Sequence, residues 1–202
     1  MTFVIVAAIG YLLGSLPFGW IVARARGVNI FEVGSRNPGA TNVRRSVGAG
    51  AGNLVFVLDL VKGAAASGWP LLALPPDNRD AFCVTGLVAA MIGHSFSCFT
   101  RFRGGKGVAT GAGGFLVLMP PATLIAAAVW ALLFFTTRYV SLASIAAAVT
   151  MPVGAYFLKE PTVLNAAAAA AGLFVIARHC GNIVRLIRGT ENRSRPAIGE
   201  DS

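Results

Sequence analysis

Apolar stretches alternate with short polar ones along most of this chain, and their lengths suit lipid better than a soluble core. Seven can be read: Thr2 to Ala23, Ala51 to Leu74, Ala81 to Cys98, Gly107 to Met119, Pro121 to Thr136, Val140 to Leu158 and Thr162 to His179. A helix needs roughly 20 apolar residues to cross about 30 Å of hydrocarbon, and most of the seven approach or exceed that. The fourth would reach only about 20 Å at about 1.5 Å per residue. It is expected as a partial span or one that starts inside the bundle, with Pro120 and Pro121 marking its end. The pattern predicts an all-α, polytopic transmembrane helical bundle of about seven spans, forming one domain over residues 1–190. A polar stretch, residues 191–202, follows it and is expected to be a disordered tail without catalytic consequence.

Composition strengthens this picture. The chain is 55% hydrophobic and 12% charged, with a mean hydropathy of +0.70, more apolar than soluble domains require. The first stretch has no basic residue before it and is followed by Arg24 and Arg26, the reverse of a secretory signal peptide, so it is expected to be a retained span. Cys83, Cys98 and Cys180 are odd in number and lack metal-ligand spacing, which argues against a disulfide framework or a zinc site and leaves them as packing residues.

A net charge of +9 raises the question of a nucleic-acid partner, but the basic residues are scattered among short segments and no nucleic-acid motif accompanies them. No such partner is expected. Their distribution instead sets topology, because short cytoplasmic loops carry the excess of Lys and Arg. With the N-terminus outside and the C-terminus cytoplasmic, 14 of the 17 basic residues fall inside. Only Arg79 and Lys159 fall outside, while Lys62 lies within the second span. Merging the fourth and fifth stretches into one helix would export the basic C-terminus.

Three polar segments carry candidate chemistry on the cytoplasmic side. Gly34 to Arg45, GSRNPGATNVRR, suits an anion: Ser35, Asn37, Thr41 and Asn42 can donate to phosphate oxygens, Gly34 and Gly39 let backbone N–H groups approach, and arginine can clamp bidentately. The same residue types also make ordinary turns. In FRGGKGVATG, Gly104, Gly105 and Gly107 surround Lys106 at an expected helix start, where backbone donors and the helix dipole converge. It lacks Walker spacing and a preceding strand, so nucleotide hydrolysis is not expected. In RHCGNIVRLIRGTEN, a continuous helix would place Arg178, Asn182 and Arg185 on one face, with His179 on an adjacent stripe.

Two features lie inside apolar stretches. Asp59 and Lys62 are i, i+3 neighbours, and since each charge costs about 2.5–3.5 kcal/mol on insertion scales, they should pair or face a polar cavity. His94 is expected to hold the neighbouring glycine loop. With eight acidic residues, mostly in loops or tail, neither a metal site nor a cofactor is expected.

Together the three segments resemble the bacterial membrane glycerol-3-phosphate acyltransferase family that uses acyl phosphate as donor, the PlsY family, and the resemblance covers nearly the whole chain. Its Ser-x-Asn-x-Gly-Ala-Thr-Asn-x-x-Arg motif is met by Ser35, Asn37, Gly39, Ala40, Thr41, Asn42 and Arg45. Its Gly-Gly-Lys-Gly-Val-Ala-Thr motif is met by Gly104 through Thr110. Its C-terminal pattern is met by His179, Asn182, Ile183, Arg185, Leu186, Gly189 and Glu191. GSLPFG, DLVKG and YVSLAS agree as well. Ser97 stands where the family usually has proline, and Arg103 replaces a common lysine.

The resemblance implies transfer of a fatty acyl group from acyl phosphate to the sn-1 hydroxyl of glycerol 3-phosphate, at the cytoplasmic side of the bacterial inner membrane. It implies that the Gly104 to Gly107 loop binds glycerol 3-phosphate, that Ser35 and Arg45 are essential, that His179 and Asn182 matter for activity, and that Glu191 is structural. The substrates and membrane lipids are the partners expected. The oligomeric state is left open, and a monomer would suffice. An organic-anion or phosphate transporter is the main rival, but the polar motifs lie on one face whereas alternating access needs a site near the midplane. A scaffold would leave Ser35, Lys106 and His179 without a purpose. Neither histidine has the Asp that His-x4-Asp acyltransferases require, and the aspartates of CDP-alcohol transferases are missing.

Overall fold

The computed structural model describes residues 1–194; residues 195–202, most of the expected polar tail, lie outside the described residues. Among the described residues ten α-helices are formed: α1 Thr2–Ser15, α2 Phe18–Arg24, α3 Ala40–Ser46, α4 Ala49–Ala73, α5 Arg79–Ser95, α6 Val108–Leu118, α7 Pro120–Thr137, α8 Val140–Phe157, α9 Thr162–Arg178 and α10 Cys180–Ile187. No strand occurs among the described residues. Among the described residues five helices or helix pairs are long and apolar enough to cross a membrane, six when α9 and α10 count as one bent span. The short α6 is not among them, and at about 1.5 Å per residue it extends only about 16 Å. Pro120 ends it and opens α7, where a missing N–H does no harm.

The first apolar stretch is broken rather than continuous. Pro17 has no N–H and restricts Leu16, so the helix stops at Ser15 and resumes at Phe18. In a membrane the carbonyls freed by such a break must be satisfied by protein. The Ser97 hydroxyl donates to Ser15 O at 2.6 Å and the Lys62 ammonium to Leu16 O at 2.9 Å.

Small residues let the helices approach. A methyl group on Gly10 or Gly14 of α1 would overlap the α5 backbone at Gly86 and Ala90, and one on Gly63 or Gly113 would overlap the facing backbone between α4 and α6. Packing of this kind replaces the hydrophobic drive that lipid does not provide. One apolar core joins α5 to α9 through Leu87, Met91, Phe115, Met151, Leu164 and Val175. A second, around Ala23, Ile30, Val43 and Val55, fastens the 24–39 segment and α3 to α4. Large apolar side chains such as Leu72, Phe135, Tyr156, Phe157 and Leu173 face outward, the surface of an integral membrane protein.

Candidate active site

One end of the bundle gathers the three polar segments. The glycine loop is fixed from behind: Gly105 N–H donates to His94 O at 3.0 Å, and its Cα lies against the His94 ring. Gly104 lies equally close to the backbone of His94 and Ser95, so neither position has room for a side chain. From the front, Asn37 Nδ2 donates to Gly104 O at 3.2 Å and Arg178 Nη2 to Gly105 O at 3.0 Å. Gly107, at φ +82°, turns the chain into α6, whose first N–H groups have no helical partner.

Lys106 is thereby held at the centre of a charge cluster. Its ammonium donates to Asn182 Oδ1, and Asn182 Nδ2 donates to Glu191 Oε1 at 2.7 Å. The same carboxylate accepts the Ser141 hydroxyl at 2.9 Å and Arg185 Nε at 2.7 Å. Burial alone would raise the Glu191 carboxyl, but these three hydrogen bonds outweigh it and hold the group below its usual range. Burial lowers Lys106 to about 8, opposed by Glu191 and reinforced by Arg185, Arg178 and Arg45. Among the described residues one carboxylate thus faces four cations, an imbalance suited to anionic ligands.

The first segment folds mainly upon itself. Asn42 Oδ1 accepts Ser35 N–H at 2.9 Å while its Nδ2 donates to Val33 O at 3.1 Å, and Asn37 Oδ1 accepts Gly39 N–H at 2.8 Å. Asn42 is buried in this role, so its amide shapes the loop rather than facing a ligand. Ser35 is exposed and Thr41, in the first turn of α3, half-buried. Arg45 Nη2 donates to Asn192 O at 2.9 Å, tying α3 to the segment after α10.

That segment departs from expectation. Glu191 is only 9% exposed, Arg193 Nε donates to the Tyr139 hydroxyl at 3.0 Å, and Ser194 N–H donates to Arg138 O at 2.8 Å. Residues 191–194 are therefore docked rather than frayed, because Glu191 is the counter-ion of the cluster. The continuous helical face expected for Arg178, Asn182 and Arg185 is also absent, since the chain bends by 59° between α9 and α10. Arg178 consequently reaches the glycine carbonyls while the other two reach Glu191. Ser141 is the residue of the cluster that the sequence reading does not name; its one signal is the hydroxyl of the YVSLAS stretch, just after Tyr139.

His179 occupies the bend and is 3% exposed. Its Nδ1 must carry a proton, since its partner at 2.8 Å is the Val175 carbonyl. In the neutral ring Nε2 therefore holds a lone pair. Asp59, Lys62 and His94 stand apart, behind the glycine loop: Lys62 Nζ lies 2.8 Å and His94 Nδ1 3.5 Å from the same Asp59 oxygen. An apolar cavity of about 200 Å³ begins at Gly107 and Val175 and runs among α6, α7, α8 and α9 past Ala168, Ala147 and Met151.

Known proteins share both sequence and shape. The family model for glycerol-3-phosphate acyltransferase matches residues 4–189. The glycerol-3-phosphate acyltransferase of Endomicrobium trichonymphae is 45% identical over 188 residues, 93% of each chain. That of Fusobacterium nucleatum is 42% identical over 196 residues, covering 96% of this chain and 98% of its own. Crystal structures of PlsY, an integral membrane glycerol 3-phosphate acyltransferase, superpose with TM-scores of 0.91 for a glycerol 3-phosphate form and 0.88 for a lysophosphatidic acid form. They are 36% and 35% identical, each covering 96% of both chains. With a match along nearly its full length in both sequence and shape, the chain belongs to the glycerol-3-phosphate acyltransferase family of integral membrane enzymes.

Proposed function

We propose that this enzyme takes a fatty acyl group from acyl phosphate and places it on the sn-1 hydroxyl of glycerol 3-phosphate, releasing lysophosphatidate and inorganic phosphate on the cytoplasmic side of a bacterial inner membrane. The observation that carries this reading is the position of Lys106, surrounded by Arg45, Arg178 and Arg185 and next in sequence to Gly107, which lines the apolar cavity. Two phosphate-bearing substrates bring about three to four negative charges together, which calls for charge-assisted donors of about 1.5–3 kcal/mol each. The cavity offers the acyl chain a dry path beginning beside those donors. A relative with glycerol 3-phosphate and lysophosphatidic acid forms supports acceptor and product.

In this reading the Gly104 to Gly107 loop and Lys106 hold the acceptor phosphate, while Ser35 and Arg45 bind and polarise the donor. Asn37, Gly39 and Thr41 line the approach, and Asn42 keeps that loop closed. The acceptor hydroxyl attacks the acyl carbonyl carbon; the carbon–oxygen bond to phosphate breaks, and phosphate departs with the bonding pair. Because a mixed anhydride already has a good leaving group, positioning and charge neutralisation supply most of the acceleration. The hydroxyl proton passes to His179 Nε2 or to a substrate phosphate.

Phosphate release from purified protein, given a long-chain acyl phosphate with and without glycerol 3-phosphate, tests the reaction. Acceptor-dependent release that yields 1-acyl product and is lost in Ser35→Ala and Lys106→Ala is expected. Release that ignores the acceptor would sink the reading. Full turnover in His179→Ala would leave the substrate phosphate as the base.

A further inference from the structure

Asp59, Lys62 and His94 touch none of the Glu191 cluster's hydrogen bonds, yet they meet the glycine loop from the opposite side. The Asp59 carboxylate accepts from Lys62 at 2.8 Å and lies 3.5 Å from His94 Nδ1, with one oxygen shared by both. Lys62 continues to the break in the first span, donating to Leu16 O and lying 5.5 Å from the centre of the Phe18 ring. His94 continues to the loop through its carbonyl, which accepts Gly105 N–H, and through its ring, which fills the space above Gly105. We propose that Asp59, Lys62 and His94 are positioning residues that hold the Gly104–Gly105 backbone, and so Lys106, at the height where the acceptor phosphate binds.

The geometry separates this role from ligand binding. The adjoining void among Ser15, Asp59, Lys62, His94, Arg103 and Gly105 measures about 10 Å³, room for no more than one water. Side chains of the pair are 3–4% exposed, so no substrate and no permeating ion reaches them. The shared carboxylate oxygen, 3.5 Å from His94 Nδ1, favours one orientation of the ring; without it the ring gains freedom to turn, and the support under Gly105 weakens. On the other face of the loop, Asn37 and Arg178 pull on the carbonyls of the same two glycines. The loop is thus clamped between two sets of partners, and releasing one shifts Lys106 against Asn182.

This inference rests on the reading that the loop binds the acceptor phosphate, and kinetics with each substrate varied separately tells the two apart. In His94→Phe and in the double variant Asp59→Asn with Lys62→Met, which leaves no buried charge, KM for glycerol 3-phosphate should rise about tenfold to a hundredfold while kcat and KM for acyl phosphate stay within about threefold. Both KM values unchanged, or a fall in kcat alone that tracks the loss of folded protein on size-exclusion chromatography, would overturn the triad's role. A rise confined to the acyl phosphate KM would keep the triad as a positioning device and overturn the loop assignment instead. His94→Phe leaves the Asp59–Lys62 pair intact, so the test survives if the double variant folds poorly.

Discussion

Two charge clusters lie on opposite faces of one short glycine backbone, and they differ in balance. Behind the loop, Asp59 is matched by Lys62, with His94 alongside, all enclosed. In front, Glu191 is the one carboxylate among the described residues that answers Arg185, Lys106, Arg45 and Arg178, and Arg45 and Arg185 reach solvent. A buried pair that neutralises itself has nothing left to offer a ligand, and its worth lies in the geometry it enforces. A cluster with surplus cations at an open end suits an anion, as the proposed function requires. Charge balance, more than the number of ionisable residues, therefore separates support from binding site.

Lys106→Met strikes the surplus directly, and it should lower kcat/KM for glycerol 3-phosphate by about 10²–10³-fold in phosphate-release assays. A loss under about tenfold would show that the front cluster binds its anion without this ammonium. Glu191→Gln attacks what balance the front cluster has. Removing charge-assisted hydrogen bonds worth about 1.5–3 kcal/mol should lower Tm by about 3–12 °C in detergent, and an unchanged Tm would make the docked 191–194 segment energetically idle.

Proton titration provides a milder version of the first change. Because burial and neighbouring cations lower Lys106 to about 8, its ammonium is lost as pH rises through that value, while a bound phosphate favours the charged form. kcat/KM for glycerol 3-phosphate should therefore hold below about pH 8 and fall toward tenfold per unit above it. In Lys106→Arg the guanidinium stays charged, and the fall should disappear. Least affected should be Arg36→Ala and Arg44→Ala, both exposed, with kcat/KM within about twofold; a larger loss would extend the cluster to the rim.

Much of the architecture could be read from apolar length, because lipid imposes a minimum on every span and Pro120 a stop on α6. The shortness of α6 was legible for the same reason. Pro17 offered a legible break too, yet a run of apolar residues around it concealed that the freed carbonyls would recruit Lys62 and Ser97. The bend at His179 has no proline to announce it. Glu191 was legible only through the family motif: by pattern alone its polar neighbours read as tail, and the convergence of Lys106, Asn182, Ser141 and Arg185 in space shows what the carboxylate holds. Motif residues located the glycine loop, whereas Asn42's commitment to Ser35 and Val33 depended on how the chain closes.

The hydrogen bond from Arg45 to Asn192 joins positions separated by 147 residues, and Glu191 follows the last helix. During synthesis at a membrane, the early loops therefore wait with their cations unmatched until α9 has been inserted and the residues beyond α10 have left the ribosome. The front cluster therefore gains its carboxylate only after α10 has been made. On the proposed function, an acyl donor would meet the closed cluster only in chains that already carry Glu191 in place.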